Sequence, residues 1–273
     1  MSAPDKKYPS DLTDVEWKII KELMEREEPY TTGRPPKVDF RRVWDAIFYI
    51  NKTGCQWRYL PHDFPPPTTV NYYYTKWTQN GLFEKGNAEI REKLRKINGR
   101  NETPSAAIID TQSVKGTPES AKESGYDGFK NVKGRKRHII VDTIGCVLAV
   151  MVHAANVYDG NGARGVIQKL FKGLDTVKII WADQTYRGDL EKWVGEEFSC
   201  ELEVVEKKKQ KGFVVQPKRW VVERTFAWLS RFRRLNRDYE REPKSSESMV
   251  NIASIRLMLK SLTKDENFAT STS

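Results

Sequence analysis

The stretch Ile179-Ile180-Trp181-Ala182-Asp183 decides the fold, because it is a short apolar run that ends in a carboxylate. A second run of the same kind, Ala107-Ile108-Ile109-Asp110, lies earlier in the chain. Such runs are typical of buried strands, and α/β domains place their chemistry where strands give way to loops. Glu223 lies in a segment with helical periodicity. Two strands and a helix can therefore bring three carboxylates together.

Three clustered carboxylates repel one another unless cations neutralise them. Oxygen ligands with several open positions suit Mg²⁺ or Mn²⁺, and a pair of such ions suits the cutting and joining of phosphodiesters. Taken singly, Asp110 and Asp183 are more typical of cap or turn residues. Glu223 alone is more typical of an intrahelical pair with Arg219. The combination of all three favours a metal site.

Composition limits the class of protein. The chain has 273 residues, 38% of them hydrophobic, which is enough for a sizeable core. Its formal charge of +10 favours a polyanionic partner, although charge alone is a weak signal. No apolar run is long enough to span a bilayer, and no signal-type stretch follows Met1, so we expect a cytoplasmic, nucleoid-associated protein without a membrane partner. The scattered cysteines are expected to be reduced packing residues.

The first third of the chain has the pattern of consecutive short helices. Thr13-Asp14-Val15-Glu16 is a capping box, and Gly54 ends a second helix that starts near Phe40. Thr68 or Thr69 is predicted to cap a third helix, over residues 68–80, that carries Tyr72 and Lys76. This pattern resembles a helix-turn-helix module whose third helix reads DNA. The alternative is a helical bundle that packs these aromatic side chains inside.

Beyond a polar linker at 99–105, strands alternate with helices. The predicted strands are 106–110, 135–143, 146–154, 178–183 and 201–205, and the predicted helices are 160–172, 189–197 and 217–235. This order indicates an α/β domain of ribonuclease H-like fold, with a mixed sheet flanked by helices. We therefore predict an all-α, helix-turn-helix-like domain at 1–98, a catalytic domain at 106–262 and a disordered tail at 263–273.

Basic side chains surround the predicted carboxylate site. Charge runs are usually solvated loops, but runs that flank a site of phosphoryl transfer fit a DNA channel. The predicted DNA contacts, besides Tyr72 and Lys76, are Lys115, Arg135, Lys136, Lys207, Lys208, Arg219, Arg224 and Arg231.

Several motifs together resemble bacterial insertion-sequence transposases of the DDE type, and the chain is most similar to the family named for insertion sequence five. The motifs are Gly33-Arg34-Pro35, Gly54-Cys55-Gln56-Trp57-Arg58-Tyr59-Leu60-Pro61, Ile109-Asp110-Thr111-Gln112-Ser113-Val114-Lys115, Gly134-Arg135-Lys136-Arg137-His138, Ala182-Asp183, Tyr186-Arg187-Gly188 and Arg219 to Trp228. The resemblance implies a catalytic and metal-binding triad of Asp110, Asp183 and Glu223. It also implies that Arg219 grips a phosphate, while Gln216 and Ser230 depart from the family's tyrosine and lysine.

The resulting hypothesis is a DNA transposase that uses two Mg²⁺ ions, for which Mn²⁺ can substitute. It would bind the terminal inverted repeats in double-stranded DNA, hydrolyse phosphodiesters at the transposon ends and join the 3′-hydroxyls to target DNA. Holding two ends requires a homodimer or a larger assembly. The alternatives are a non-catalytic DNA-binding regulator or transposase remnant, and a nuclease without sequence preference. An aspartate phosphatase would need a second aspartate where Gln112 stands.

Overall fold

The first part of the chain folds into helices. The computed structural model describes residues 8–29, 37–205 and 218–270, with side chains up to residue 263. Its first four helices are α1 (Asp14–Glu27), α2 (Phe40–Thr53), α3 (Pro67–Gln79) and α4 (Leu82–Ile97). The capping box is confirmed, because the Thr13 hydroxyl accepts from Glu16 N at 3.2 Å and the Glu16 carboxylate accepts from Thr13 N at 2.8 Å. Gly54 ends α2 in the left-handed conformation, with φ 71°.

Two helix starts differ from the prediction. Helix α3 begins at Pro67 rather than after a threonine cap, because proline is already set for the first helical position. Helix α4 begins at Leu82, whereas the amphipathic pattern that predicts a fourth helix from the sequence starts only near Ala88. The polar, glycine-containing stretch Glu84-Lys85-Gly86-Asn87, which follows Leu82 and Phe83, hid the helical pattern. Gly86 there lets α4 approach α1 closely, since a Cβ at this position would lie 2.7 Å from the Leu23 side chain.

A six-stranded mixed sheet forms the centre of the second part. The strands are β1 (Ala106–Lys115), β2 (Gly125–Asp127), β3 (Val132–Asp142), β4 (Val147–Ala154), β5 (Ile179–Ala182) and β6 (Glu201–Val204). Their order is β2-β3-β1-β5-β6, with β4 also paired to β3. The β1–β3 and β3–β4 pairs are antiparallel, whereas β1–β5 and β5–β6 are parallel. The predicted ribonuclease H-like sheet and its hairpin are therefore confirmed.

Strand β1 is twice as long as predicted. It continues past Asp110 to Lys115, because β3 pairs with it as far as Lys115↔Gly134. The prediction that Asp110 stands where a strand gives way to a loop is therefore wrong, and Asp110 lies in the middle of β1. Asp183, by contrast, directly follows the last residue of β5, as predicted.

Helices cover both faces of the sheet. One face packs against α5 (Asp159–Phe171) and α6 (Asp189–Phe198), through Ile109 and Ile180 among others. The other face packs against α7 (Trp220–Leu229) and α8 (Pro243–Thr270), through Ile108 and Val141 among others. The buried residues of α1 to α4 belong to the same core as this second face. The division into two domains around residues 99–105 stays a prediction.

The sequence pattern did not predict α8 or the short strand β2. Almost every α8 side chain from Ser246 to Leu259 is buried, including Ser248, Asn251 and Ser254, so the helix has no apolar stripe to reveal it. Helix α8 extends to Thr270, into the stretch that we predicted to be a disordered tail. Helix α7 ends at Leu229, earlier than predicted. Within the described ranges, no helix has the length and apolarity needed to cross a membrane.

A buried ion pair joins the helical part to the sheet. Arg95 of α4 donates to Asp142 at 2.6 Å, and both side chains are at most 6% exposed. The second Asp142 oxygen accepts from Ile144 N at 3.0 Å and from Cys146 N at 2.8 Å, which shapes the β3–β4 turn. Removing one partner would leave the other charge buried and uncompensated.

A substitution at Gly134 tests the packing of the sheet. A Cβ at this position would lie 2.0 Å from the Val114 carbonyl oxygen and 2.4 Å from Gly116 N, both backbone atoms of the neighbouring chain segment. We expect Gly134→Ala to lower the free energy of unfolding by about 1–3 kcal/mol or more, because the new Cβ would force these backbone atoms to shift. Urea unfolding gives the measurement.

The matched control is Gly195→Ala in the interior of α6, where a Cβ would meet nothing within 4 Å. It should raise the free energy of unfolding by about 0.5–1 kcal/mol, because alanine is the better helix former. Equal urea midpoints for Gly134→Ala and the unsubstituted protein would contradict the account.

Candidate active site

The sheet register brings the two aspartates together. Strands β1 and β5 are parallel neighbours in which Ile108 pairs with Trp181. Asp110 and Asp183 each lie two residues further along, so both fall on the same side of the sheet as these partners. Ile108 belongs to the core beneath α7 and Trp181 packs against that core. The two carboxylates therefore face the helix that carries Glu223.

The guanidinium of Arg219 lies among all three carboxylates. Its Nη2 atom is 3.5 Å from Asp110 Oδ2, 3.5 Å from Asp183 Oδ2 and 4.0 Å from Glu223 Oε1. No two of these oxygens can therefore be more than about 8 Å apart, which is twice the longest of the distances. The structure thus brings the predicted triad to one point, together with the predicted phosphate ligand. Arg219 immediately precedes α7 and shares one helical face with Glu223.

Backbone hydrogen bonds fix how both aspartates point. Asp110 Oδ1 accepts from Thr111 N at 2.7 Å, and Asp183 Oδ1 accepts from Thr185 N at 2.9 Å and from the Thr185 hydroxyl. In each case Oδ1 is held by the chain itself, so Oδ2 is presented to the shared point. Sequence reasoning missed this role of Thr185. The signal was an acceptor aspartate followed two residues later by a threonine at the start of a turn.

Asp110 is the most buried member of the triad. Its side chain is 17% exposed, against 24% for Asp183 and 59% for Glu223. Burial raises the pKa of Asp110, and the nearby Asp183 charge raises it further, whereas the Thr111 N–H and Arg219 oppose the rise. A carboxyl group in this environment gains from any additional positive charge.

The three carboxylates are ligands typical of a metal centre, but in this structure they surround the guanidinium of Arg219. Among the described residues, no three His, Cys, Asp or Glu side chains are placed close enough together to hold a metal ion. Arg219 instead supplies the positive charge between the carboxylates. All the donors are carboxylate oxygens, which are the ligands that hard divalent cations prefer. The chemistry of these donors therefore suits the divalent cations that the sequence predicted, whereas their spacing in this structure suits the guanidinium.

Two predicted DNA contacts are buried. Arg135 is 0% exposed and donates to the carbonyl oxygens of Glu123, Glu240 and Arg241. Lys136 is 6% exposed and donates to Asp159 at 2.5 Å. The prediction that these two side chains contact DNA conflicts with their burial, because both are committed to internal partners. They tie β3 to neighbouring segments of the chain.

Other predicted contacts lie at the surface. Lys115 and Arg231 are exposed. Arg224 is half-buried, donates to the Ile144 carbonyl at 2.9 Å and stacks against the rings of Trp220 and Trp228 at 4.5 and 4.4 Å. Lys207 and Lys208 lie outside the described residues.

Helix α3 divides its aromatic residues between core and surface. Tyr74 and Trp77 are buried, so the bundle interpretation holds for them. Tyr72 is 62% exposed, and Lys76 pairs with Glu28 at 2.5 Å while keeping 43% of its side chain exposed. Tyr72 and Lys76 therefore stay candidates for DNA contact.

A ribonuclease H-like sheet that gathers two aspartates and a glutamate at one point defines a DDE-type domain. Comparison with known families agrees. The chain belongs to the transposase DDE domain family, whose model matches residues 101–258. Residues 12–87 match a second family model, described as "Putative transposase of IS4/5 family". The resemblance to insertion-sequence transposases is therefore confirmed, although the roles of the individual residues stay predictions.

A relative from Burkholderia cepacia is described as "Putative transposase for insertion sequence element IS402". It is 31% identical to this chain over 115 residues, which are 40% of this chain and 54% of the relative. The matched segment thus spans about half of the relative's length.

Replacing Arg219 tests the electrostatics of the site. In Arg219→Gln the carboxylates lose their common cation, so the pKa of Asp110 should rise further. A protein becomes less stable as the pH rises if it contains an acid whose pKa is raised on folding. The reason is that its folded state binds more protons than its unfolded state in that pH range. We expect a loss of about 1–3 kcal/mol at neutral pH, less than for a fully buried pair because Glu223 is exposed.

This loss should shrink as the pH falls and the carboxylates become protonated. Urea unfolding between acidic and neutral pH gives the measurement, with Arg231→Gln as the control at an exposed arginine beyond the end of α7. A loss in Arg219→Gln that stays the same at every pH would show that the carboxylates do not depend on this guanidinium.

Proposed function

We propose that this protein is a DNA transposase that binds terminal inverted repeats, hydrolyses phosphodiesters at the transposon ends and joins the 3′-hydroxyl ends to target DNA. The observation that carries the proposal is the convergence of Asp110, Asp183 and Glu223 on one cationic group. Membership of the transposase DDE domain family supports it. We expect the protein to act in the cytoplasm, at the nucleoid.

Asp110, Asp183 and Glu223 would hold two Mg²⁺ ions, for which Mn²⁺ could substitute. When bound, such ions stabilise the charge that develops on the attacking and leaving oxygens of a phosphodiester. The protein contributes by fixing the donors. The Thr111 and Thr185 amides orient the two aspartates, and the exposed Glu223 is the member that can adjust its position.

Arg219 would contact the DNA phosphate. It lies within 4.0 Å of all three carboxylates, so a phosphate that enters the site meets its guanidinium. A guanidinium can donate two parallel hydrogen bonds to phosphate oxygens, which orients the group as well as attracting it. Orientation of this kind accounts for much of the rate enhancement in phosphoryl transfer, since it replaces a random encounter by a fixed geometry.

The surface around the site supplies the contacts with DNA. The exposed cations Lys115 and Arg231 would neutralise backbone phosphates without reading the sequence. Residues 68–80, with the exposed Tyr72, would recognise the inverted repeats. Because two ends must be held for joining, the active assembly is at least a homodimer. The alternative, a non-catalytic DNA-binding regulator, would have no need of three carboxylates around one point.

Substituting the triad separates catalysis from binding. We expect Asp110→Asn and Glu223→Gln each to lower the cleavage rate of end DNA at least about 100-fold, since several kcal/mol of charge stabilisation are lost at about 1.4 kcal/mol per tenfold. The affinity for the same DNA should change little. The measurement is cleavage, with Mg²⁺, of a duplex that carries the inverted repeat flanking the gene.

Glu197→Gln is the matched control, because this glutamate is exposed on α6 and belongs to no site. It should cleave at the rate of the unsubstituted protein. Cleavage by Asp110→Asn or Glu223→Gln at that same rate would refute the assignment of the site. Binding without any cleavage by the unsubstituted protein would favour the regulator.

A further inference from the structure

A fully exposed phenylalanine stands at the tip of the β2–β3 hairpin. Phe129 is 100% exposed, whereas the next most exposed large apolar or aromatic side chain among the residues that the structure describes, Tyr59, is 70% exposed. Burying a phenylalanine side chain stabilises a protein by about 1.5–3 kcal/mol, and this one gains nothing of that kind within the chain. A side chain of this kind, displayed alone on a turn, indicates a contact with a partner.

The turn that displays Phe129 is held in place from below. Asp127 is 5% exposed, and its Oδ1 accepts from Phe129 N and from Lys130 N, both at 3.1 Å. Its Oδ2 accepts from the Ser113 hydroxyl of β1 at 2.6 Å. Tyr126 donates to the side chain of Asn131 at 2.9 Å across the same turn. These bonds fix the direction in which Phe129 projects.

The same turn adjoins the carboxylate site. Ser113 lies three residues beyond Asp110 on β1. Lys130 Nζ is 3.4 Å from the Thr111 carbonyl oxygen and 3.3 Å from its hydroxyl, and Thr111 N is the donor that orients Asp110. Lys130 therefore ties the hairpin to the residue that follows Asp110, and a DNA duplex that extends past the site along β1 would meet the hairpin.

The charges of the hairpin identify the partner as a polyanion. Between residues 126 and 133 the exposed charged side chains are Lys130 and Lys133, and the carboxylate of Asp127 is buried. Some proteins insert an apolar side chain, called a wedge, between neighbouring bases of DNA, and Phe129 protrudes beside two cations in a manner that suits this role. Phenylalanine is one of the residues that separate neighbouring bases, while lysines contact the adjacent phosphates.

We propose that Phe129 inserts between neighbouring bases of the end DNA beside the phosphodiester that is cut, and unstacks that base step. The inference rests on the proposed function, since it assumes that DNA occupies the carboxylate site. Unstacking costs a few kcal/mol per step and lets the backbone bend toward the sheet. The scissile phosphate can then seat among Asp110, Asp183 and Glu223.

The experiment measures unstacking and cleavage separately. The probe is a duplex that carries the inverted repeat flanking the gene, with 2-aminopurine at the repeat boundary, because this base becomes brighter when it is unstacked. Fluorescence is recorded in the non-cleaving Asp110→Asn background, and cleavage is recorded without that substitution. The variants are Phe129→Ala, the conservative Phe129→Leu, and Tyr59→Ala as an exposed aromatic control.

With Phe129→Ala we expect the fluorescence rise to be lost and cleavage of the paired duplex to fall at least about tenfold. A duplex with a mismatch at the boundary needs less work to unstack, so Phe129→Ala should cleave it at nearly the unsubstituted rate. Phe129→Leu should retain most of the effect, and Tyr59→Ala should change neither signal. Equal unfolding midpoints would show that the variants fold alike.

Three results would contradict the proposal that Phe129 inserts between bases. One is unchanged fluorescence and cleavage in Phe129→Ala while the unsubstituted protein cleaves normally, which leaves the proposed function standing. Another is an equal loss of cleavage on paired and mismatched DNA. A third is a lower molar mass for DNA-free Phe129→Ala, which would make Phe129 a contact between copies of this chain. Absence of cleavage by the unsubstituted protein would refute the proposed function and the wedge together.

Discussion

The arrangement of the site depends on one electrostatic constraint, the confinement of three carboxylates around a single positive charge. Asp110, Asp183 and Glu223 come from a strand, a strand end and a helix, and Arg219 Nη2 lies within 4.0 Å of each. Without a cation between them, like charges in a partly buried place would push the segments apart. The guanidinium therefore stabilises this arrangement of the three carboxylates.

Buried cations elsewhere hold the frame that positions this centre. Arg95 joins α4 to the β3–β4 turn through Asp142, and Arg135 joins β3 to the segment before α8. Each guanidinium meets carboxylate or carbonyl oxygens, so its charge is compensated. Helix α8 then fills the space between the first helices and the sheet, which places the helical part and the carboxylate site on one continuous core. Part of the positive charge that suggests a polyanionic partner thus serves the fold.

The sequence pattern predicted the elements that have a clear change of polarity or a recognisable cap at one end. Asp183 was located because an apolar run stops at it, and α1 because Thr13 and Glu16 form a recognisable cap. The triad itself was only partly visible as a local pattern, because Asp183 follows a buried strand, whereas Asp110 lies within β1 and Glu223 lies on a helix. Its convergence needed the register of β1 against β5, which is a property of the pairing and not of either strand.

What the pattern did not predict depends on contacts that are distant in sequence. Arg135 and Lys136 look like a solvated basic run, but alternate residues of a central strand face opposite layers, and both layers offer oxygen acceptors. Helix α8 was not recognised because it is buried on all sides between Ser246 and Leu259. Phe129 carries no signal in the sequence, since an apolar residue in a turn is equally consistent with burial.

The central claim is that Asp110, Asp183 and Glu223 form one cation-binding centre, and calorimetric titration of the DNA-free protein with Mn²⁺ tests it most directly. The account predicts that Mn²⁺ binds to the unsubstituted protein and to Glu197→Gln, and that Asp110→Asn weakens binding at least about tenfold, a difference of about 1.4 kcal/mol. Identical titrations of the unsubstituted protein and Asp110→Asn would contradict it.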